Sequence, residues 1–428
     1  MTASKNADGY LLQNGRIIDP ANGMDQVGDV LVIGDKIVPS TDAHPRVTTI
    51  DLTGKWILPG LIDMHVHLRE PGEEYKEDIL SGTRAAAAGG FTAVACMPNT
   101  KPVNDCLAVT RMICERAAQA FARVYPVGAI SKGSQGKSLA EFADMKSAGI
   151  VGVSDDGLPV INSQLMRRAL EYAADHDLCV ISHSEESALS LGGVMNEGTV
   201  STRLGLRGIP TAAESIMVYR EIALAEYTGL PVHIAHVSTA MSTRLIREAK
   251  ERGVRVTAET TPHYLTLTDE AVEGYNTNAK MNPPLRSAVD REEVRRGLAD
   301  GTFDAVATDH APHSILEKET EFDLAANGII GLETAVPLVL ELVRDGLVDA
   351  QRFVELFSVN PVRILGVEGG SLAPGQVADI TVVDPEIKFE LTPETIHSKS
   401  KNSPFLHRPL QGRAVLTMVG GRITHTLL

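Results

Sequence analysis

A chain of 428 residues, 43% of them hydrophobic, can bury a large core, and at roughly 150 residues per domain its length suggests about three domains or one large α/β barrel. A formal charge of −15 with no cluster of Lys and Arg argues against a nucleic-acid or anionic-membrane partner and points to a small molecule. No run of about 18 apolar residues occurs, and the opening MTASKNADGY has no basic segment followed by an apolar one, so a cytoplasmic protein is expected.

Residues from about 10 to 55 alternate short apolar runs with turn signals, as in Tyr10–Gly15 and Asp29–Asp35, and read as antiparallel strands. The same texture returns in Ala378–Asp384 and Val415–Arg422, so both termini are expected to build one small β domain. Trp56–Ile62 reads as a buried strand leading into Asp63-Met64-His65-Val66-His67-Leu68-Arg69. A helix is predicted over Tyr75–Ala88. Seven further strands follow: Phe91–Met97, Val124–Ile130, Gly149–Ser154, Leu178–Ser182, Pro231–Ala235, Val254–Glu259 and Phe303–Thr308. Eight strands separated by helical stretches predict an α/β fold, a (β/α)8 TIM-like barrel accompanied by a small β-sandwich domain built from both termini. The expected division is 1–58 and 367–428 for the β domain and 59–366 for the barrel. Residues 266–287 carry little pattern and read as a mobile loop over the pocket. The four cysteines, Cys96, Cys106, Cys114 and Cys179, form no CxxC and read as reduced, buried thiols.

Barrel chemistry gathers at the carboxyl ends of the strands. Side chains alternate along a strand, so His65 and His67 share a face and can share a metal ion. Strand two ends in Pro98-Asn99-Thr100, strand four in Asp155-Asp156-Gly157, strand five in His183, strand six in His236 and strand eight in Asp309-His310-Ala311-Pro312-His313. Four histidines and two carboxylates without thiolate suit Zn²⁺, with Mn²⁺, Co²⁺ and Fe²⁺ as alternatives. Six ligands exceed the needs of one catalytic zinc, so two ions bridged by a carboxylate and a hydroxide are expected. Adjacent Asp155 and Asp156 point to opposite faces, so only one of them bridges. His233, three residues before His236, is placed on the other side of its strand as a structural residue.

These motifs, with His233-Ile234-Ala235-His236-Val237-Ser238, Thr260–Leu265, Lys280–Arg286 and Asn360-Pro361, run nearly end to end, and by them the chain resembles the long, bacterial (class I) dihydroorotases of the amidohydrolase superfamily. The resemblance implies zinc-dependent, reversible cyclisation of N-carbamoyl-L-aspartate to (S)-dihydroorotate in pyrimidine biosynthesis. It implies two Zn²⁺ per subunit: one on His65, His67 and Asp309, the other on His183 and His236, with Asp156 shared and Asp309 also the catalytic proton carrier. Substrate contacts are expected from Arg69, Asn99, Asn282 and His313 and from the backbone at Asn327 and Gly328. The family more often has an aromatic residue where Asn327 stands. Expected partners are the small substrate, a second copy in a homodimer and, in a complex, an aspartate transcarbamoylase; nucleic acid and membrane are not expected.

The rivals are an allantoinase or hydantoinase, a one-metal deaminase, and an inactive structural partner of the transcarbamoylase. Hydantoinases bridge their metals with a carboxylated lysine near strand four. Here that strand ends in Ser154-Asp155-Asp156-Gly157, and Arg69 suits an α-carboxylate that a simple hydantoin lacks.

Overall fold

The computed structural model of the chain describes residues 9–40 and 46–428. The reading of a leaderless start on residues 1–8 lies outside the described residues. Eight parallel strands follow one another around a barrel: Leu61–Val66, Phe91–Cys96, Arg123–Gly128, Gly152–Val153, Cys179–Ser182, Val232–Ile234, Val256–Thr260 and Ala305–Val306. A parallel bridge between Val66 and His310 joins the last strand to the first, with His67 N–H donating to the His310 carbonyl at 2.8 Å. Inside the barrel Ile62, Met64, Ala93, Ala95, Val127, Ile181 and Ala305 form a small apolar plug. The larger core lies outside, between strands and helices, where Val66, Val94, Val153, Val180, Ile234 and Val306 meet the helix faces. Strands buried on both faces carry continuous apolar runs, which is why they were legible as strands while their inward residues were not.

The second sheet confirms one β layer from both termini. Its order is Arg422–Thr426, Pro409–Val419, Ile380–Glu390, Trp56–Pro59, Gly9–Asp19, Met24–Ile33, Lys36–Val38, with Val47–Asp51 also on Gly9–Asp19. The Trp56–Ile62 run is not a single strand: Trp56–Pro59 pairs with Ile380–Val383 in the terminal sheet, whereas Leu61 begins the barrel. Gly60 is the joint, and a Cβ there would sit 2.2 Å from the Thr92 hydroxyl, so the chain passes from one layer to the other through a space that admits no side chain.

The first crossover helix is also shorter than predicted, spanning Ile79–Gly89. Asp78 caps it by accepting from Ser81 N while the Ser81 hydroxyl returns to the Asp78 N–H, a capping box that fixes the start after Tyr75–Glu77. It ends at Gly90, whose φ of +97° closes the last turn. The turn packs on the sandwich through Thr381 Oγ1 to Gly90 O and Thr417 Oγ1 to Ala87 O.

Residues 266–287 also depart from expectation. They contain short helical turns at Asp269–Tyr275 and Thr277–Ala279, and Val272, Ala279, Met281 and Leu285 join a second core with Phe322, Ile329, Leu391, Ile396 and Phe405. This core gathers the loops of the barrel mouth with residues 391–408, the irregular connection between Ile380–Glu390 and Pro409–Val419.

Candidate active site

His65 and His67 reach the barrel mouth through a break in the first strand. Its pairing with the second strand shifts register between Asp63 and Val66, and the Asp63 carboxylate accepts from His65 N at 3.1 Å and from Thr308 N at 3.1 Å. Met64 therefore fills the barrel plug while Val66 faces the outer core, and the two imidazoles come together on the site. Three site residues hold left-handed backbone conformations: Arg69 at φ +60°, His236 at +35° and Asp309 at +49°. Such conformations cost about 1 kcal/mol or more outside glycine and concentrate where function requires them.

Two triads of ligand atoms result. His65, His67 and Asp156 offer atoms within 4.8 Å of one another, as do Asp156, His183 and His236, so the carboxylate of Asp156 is common to both. Its Oδ1 lies 3.2 Å from His65 Nε2 and 3.5 Å from both His183 Nδ1 and His236 Nε2; its Oδ2 lies 3.5 Å from His67 Nε2. Asp309 stands beside the first triad, with Oδ1 3.1 Å from His67 Nε2 and 3.7 Å from His65 Nε2. Asp155 turns away, as adjacency requires, and accepts from Ser131 N at 3.0 Å and from the Ser131 hydroxyl. It anchors the loop after strand three.

The donor set fits divalent cations. His65 Nε2 and Asp156 Oδ1 face one another, both buried and neither in hydrogen-bond geometry with any group. Burial opposes charge on His65, yet Asp156, Glu259 and Asp309 draw its pKa well above the ordinary value. The cluster is thus rich in carboxylate and calls for positive charge among imidazole nitrogens. Nitrogen and oxygen donors in this arrangement suit zinc and its borderline neighbours.

The surrounding shell settles which nitrogen His65 and His67 present. His65 Nδ1–H donates to Glu259 at 3.0 Å and His67 Nδ1–H to the Asn99 side-chain oxygen at 2.8 Å, leaving both Nε2 lone pairs to the centre. Glu259 lies at the end of strand seven and had no assigned role in the sequence. Its second oxygen is 3.3 Å from His233 Nε2, and His233 Nδ1 is 2.9 Å from Thr257 Oγ1. His233 therefore does not lie away from the site, as three-residue spacing predicted: regular alternation ends at Ile234, and the backbone turns at His236. Although complete burial works against ionisation, His233 and His65 hold the Glu259 carboxyl down to about 2. Replacing Glu259 by Gln should lower zinc affinity about ten- to a hundredfold, the usual effect of removing an outer partner of a metal-bound histidine. Competition with a chromogenic chelator measures it, and unchanged affinity would remove Glu259 from this role.

The substrate-side residues converge with orientations the sequence did not specify. Asn282 donates to Glu185 at 2.6 Å, Glu185 lies 3.6 Å from His183 Nε2, and the Asn282 side-chain oxygen is buried without a partner. Arg69 is 9% exposed, and among the described residues no carboxylate lies within ion-pair distance of it; its Nε donates to Pro312 O at 3.2 Å and its Nη2 lies 3.3 Å from His313 Nε2. His313 Nε2 is 2.8 Å from the Asn327 carbonyl, which can only accept, so this nitrogen carries the proton. Burial, reinforced by Arg69, Lys76 and Lys318, lowers the His313 pKa to about 3 and keeps the ring neutral. Gly328 has φ +125°, and a Cβ there would lie 2.6 Å from Ala311 Cβ and 3.3 Å from His313 Nε2, so only glycine lets this backbone approach. His263 is buried with an unpartnered Nε2; burial, partly opposed by Asp309, takes its pKa to about 3. Burial likewise raises the Cys96 and Cys179 thiols to about 12, in keeping with inert packing residues.

An eight-stranded parallel barrel carrying two histidine–carboxylate triads joined at one aspartate defines a metal-dependent amidohydrolase. Family models agree: that of "Dihydro-orotase-like" proteins matches residues 54–242 and that of the "Amidohydrolase family" matches residues 195–425. The chain is 58% identical to a dihydroorotase of Syntrophobacter fumaroxidans over 98% of its own length and 97% of the relative's. It is 60% identical to one of Desulfotalea psychrophila over 96% and 98%. The chain belongs to the dihydroorotase family. Among solved structures, the L-hydantoinase of Arthrobacter aurescens superposes with a TM-score of 0.88 at 25% identity, over 98% of this chain and 96% of that one. The dihydropyrimidinase of Brevibacillus agri gives a TM-score of 0.85 at 24% identity over 97% and 95%, which shows the shared fold.

Proposed function

We propose that the chain is a zinc-dependent dihydroorotase that interconverts N-carbamoyl-L-aspartate and (S)-dihydroorotate in pyrimidine biosynthesis. The observation that carries this reading over other cyclic amides is Arg69: a buried guanidinium with no carboxylate of its own, beside the shared-carboxylate triads. A buried, unpaired cation is costly, and a substrate carboxylate is the partner that relieves the cost. In this reading His65, His67 and Asp309 hold one zinc, His183 and His236 the other, and Asp156 both. When bound, the ions polarise the ring carbonyl and acidify water.

The chain's own residues supply the rest. Arg69, with the Asn99 amide group, holds the carboxylate and fixes the ring amide over the triads, while His313, its N–H given to the Asn327 carbonyl, lines the same pocket. Asn282, oriented by Glu185, offers its free oxygen to a ring N–H. Burial opposes ionisation of Asp309, but His67, His65 and His236 hold its carboxyl below the ordinary range, so it stands ionised, the form a proton acceptor needs. In ring opening it accepts the proton of the attacking water and passes it to the departing ring nitrogen as the C–N bond breaks; ring closure reverses each transfer.

The likeness to hydantoinase structures favours a second reading, a hydantoin or allantoin hydrolase. Strand four here ends in Ser154-Asp155-Asp156 with no lysine, and neither rival ring gives Arg69 the same ring carboxylate. Ring opening of dihydroorotate, allantoin and hydantoin by the zinc-loaded protein decides between them. Dihydroorotate is expected to be preferred by kcat/KM, and preference for another ring would refute the substrate while leaving the site intact. No helix among the described residues is long and apolar enough to cross a membrane. The division at 58/59 and 366/367, a cytoplasmic homodimer and a complex with an aspartate transcarbamoylase are part of the same reading and rest on the sequence and its resemblance.

A further inference from the structure

Residues 391–408 connect two neighbouring strands of the terminal sheet, a job that a tight turn performs in most hairpins. Instead they leave the sheet and cross the barrel mouth, where Leu391, Ile396 and Phe405 enter the core shared with the active-site loops. At the centre of this strap Asn402 is 4% exposed. Its Nδ2 donates to Ala311 O and to Gly328 O, each at 3.0 Å, and its Oδ1 accepts from His313 N at 3.1 Å. Its own carbonyl accepts from Ile330 N at 2.9 Å. Asn402 therefore brackets Pro312, whose carbonyl orients Arg69.

Lys318 does the same from the other side. It is 3% exposed, and its ammonium donates to Ala326 O at 2.8 Å, Gly328 O at 3.1 Å and Lys280 O at 3.3 Å. It brackets Asn327, whose carbonyl orients His313, and it ties that loop to the segment leading to Asn282. None of these side-chain atoms points at the triads. All of them terminate on backbone that aims the substrate-side residues.

We propose that Asn402, carried by the strap of the sandwich domain, and Lys318 are positioning residues for substrate: together they set the 311–313 and 326–328 backbones at the spacing that aims Arg69 at the substrate carboxylate and holds His313 beside it. The sandwich is then part of the active site. The substrate named here rests on the dihydroorotase reading, while the clamp itself does not.

Asn402→Ala leaves buried backbone groups without partners, a loss that corresponds to about a ten- to hundredfold change in an equilibrium. It should raise KM for dihydroorotate by that factor while kcat changes less than about threefold and the metal content per chain stays at the parent's value. Lys318→Gln, which keeps a shorter amide donor, should show a smaller rise, and Glu394→Ala, on the exposed part of the strap, none. Amide hydrogen exchange read on the same variants should speed up at 326–331 in Asn402→Ala and Lys318→Gln and not in Glu394→Ala. Unchanged KM and unchanged exchange in Asn402→Ala, or a fall in kcat and metal content at constant KM, would overturn the proposal. A parent protein inactive on dihydroorotate would sink the substrate reading alone; KM is then compared on whichever cyclic amide the parent opens, with exchange as the independent readout.

Discussion

Asp309→Asn should retain metal and lose about 10²- to 10⁴-fold in kcat, the range by which a positioned proton carrier accelerates a reaction. The substitution isolates the proton role for two reasons. Asn is among the residues that best tolerate the left-handed backbone at φ +49°, so the loop should keep its course. Both ligand triads also remain complete without residue 309. The amide can still lie 3.1 Å from His67 but can neither take up nor deliver a proton at neutral pH. Single-turnover rates and metal content on one preparation test it: a mutant that turns over like the parent removes Asp309 from proton transfer, and one that loses metal makes it foremost a ligand.

Arg69→Met should lower kcat/KM for dihydroorotate by about 10²- to 10³-fold, because truncating one partner of a buried charge pair costs about 2–5 kcal/mol. The effect should fall on the carboxylate: a cyclic amide without one should lose no more than a few-fold. The free protein should meanwhile become more stable. Arg69 is buried without an ion-pair partner, its burial lowers its pKa despite Glu73 and Asp309, and an apolar side chain of similar length removes that cost. A higher thermal midpoint with a carboxylate-specific loss of activity is the signature of a residue kept for binding. Equal loss on both kinds of ring would assign Arg69 to the fold of the mouth instead.

The parts of this site that the sequence disclosed are those with local signals. Apolar runs bounded by Gly and Pro located eight strands, and the residues following them supplied His65, His67, Asp156, His183, His236 and Asp309, which the structure brings into one cluster. What stayed hidden depends on contacts between distant segments. Glu259 on His65 and Asn402 on Gly328 join residues far apart in the chain, and nothing in the periodicity of either segment announces the partner. Strict alternation also failed where the backbone departs from a regular strand. The break between Asp63 and Val66 and the left-handed turn at His236 each change which way side chains face, so His233, structural as expected, faces Glu259 rather than the far side of its strand. The Trp56–Ile62 run looked continuous because both halves are buried, one in each layer, and only the crowding of Gly60 against Thr92 marks the joint.

In the dihydroorotase reading two ions sharing Asp156 run the reaction, and the most direct test is a zinc titration of the chelated protein, following dihydroorotate ring opening at each addition. Activity is expected to be absent from the metal-free chain and to rise to a plateau at two equivalents per chain. Full activity at one equivalent, or turnover that survives removal of metal, would contradict it.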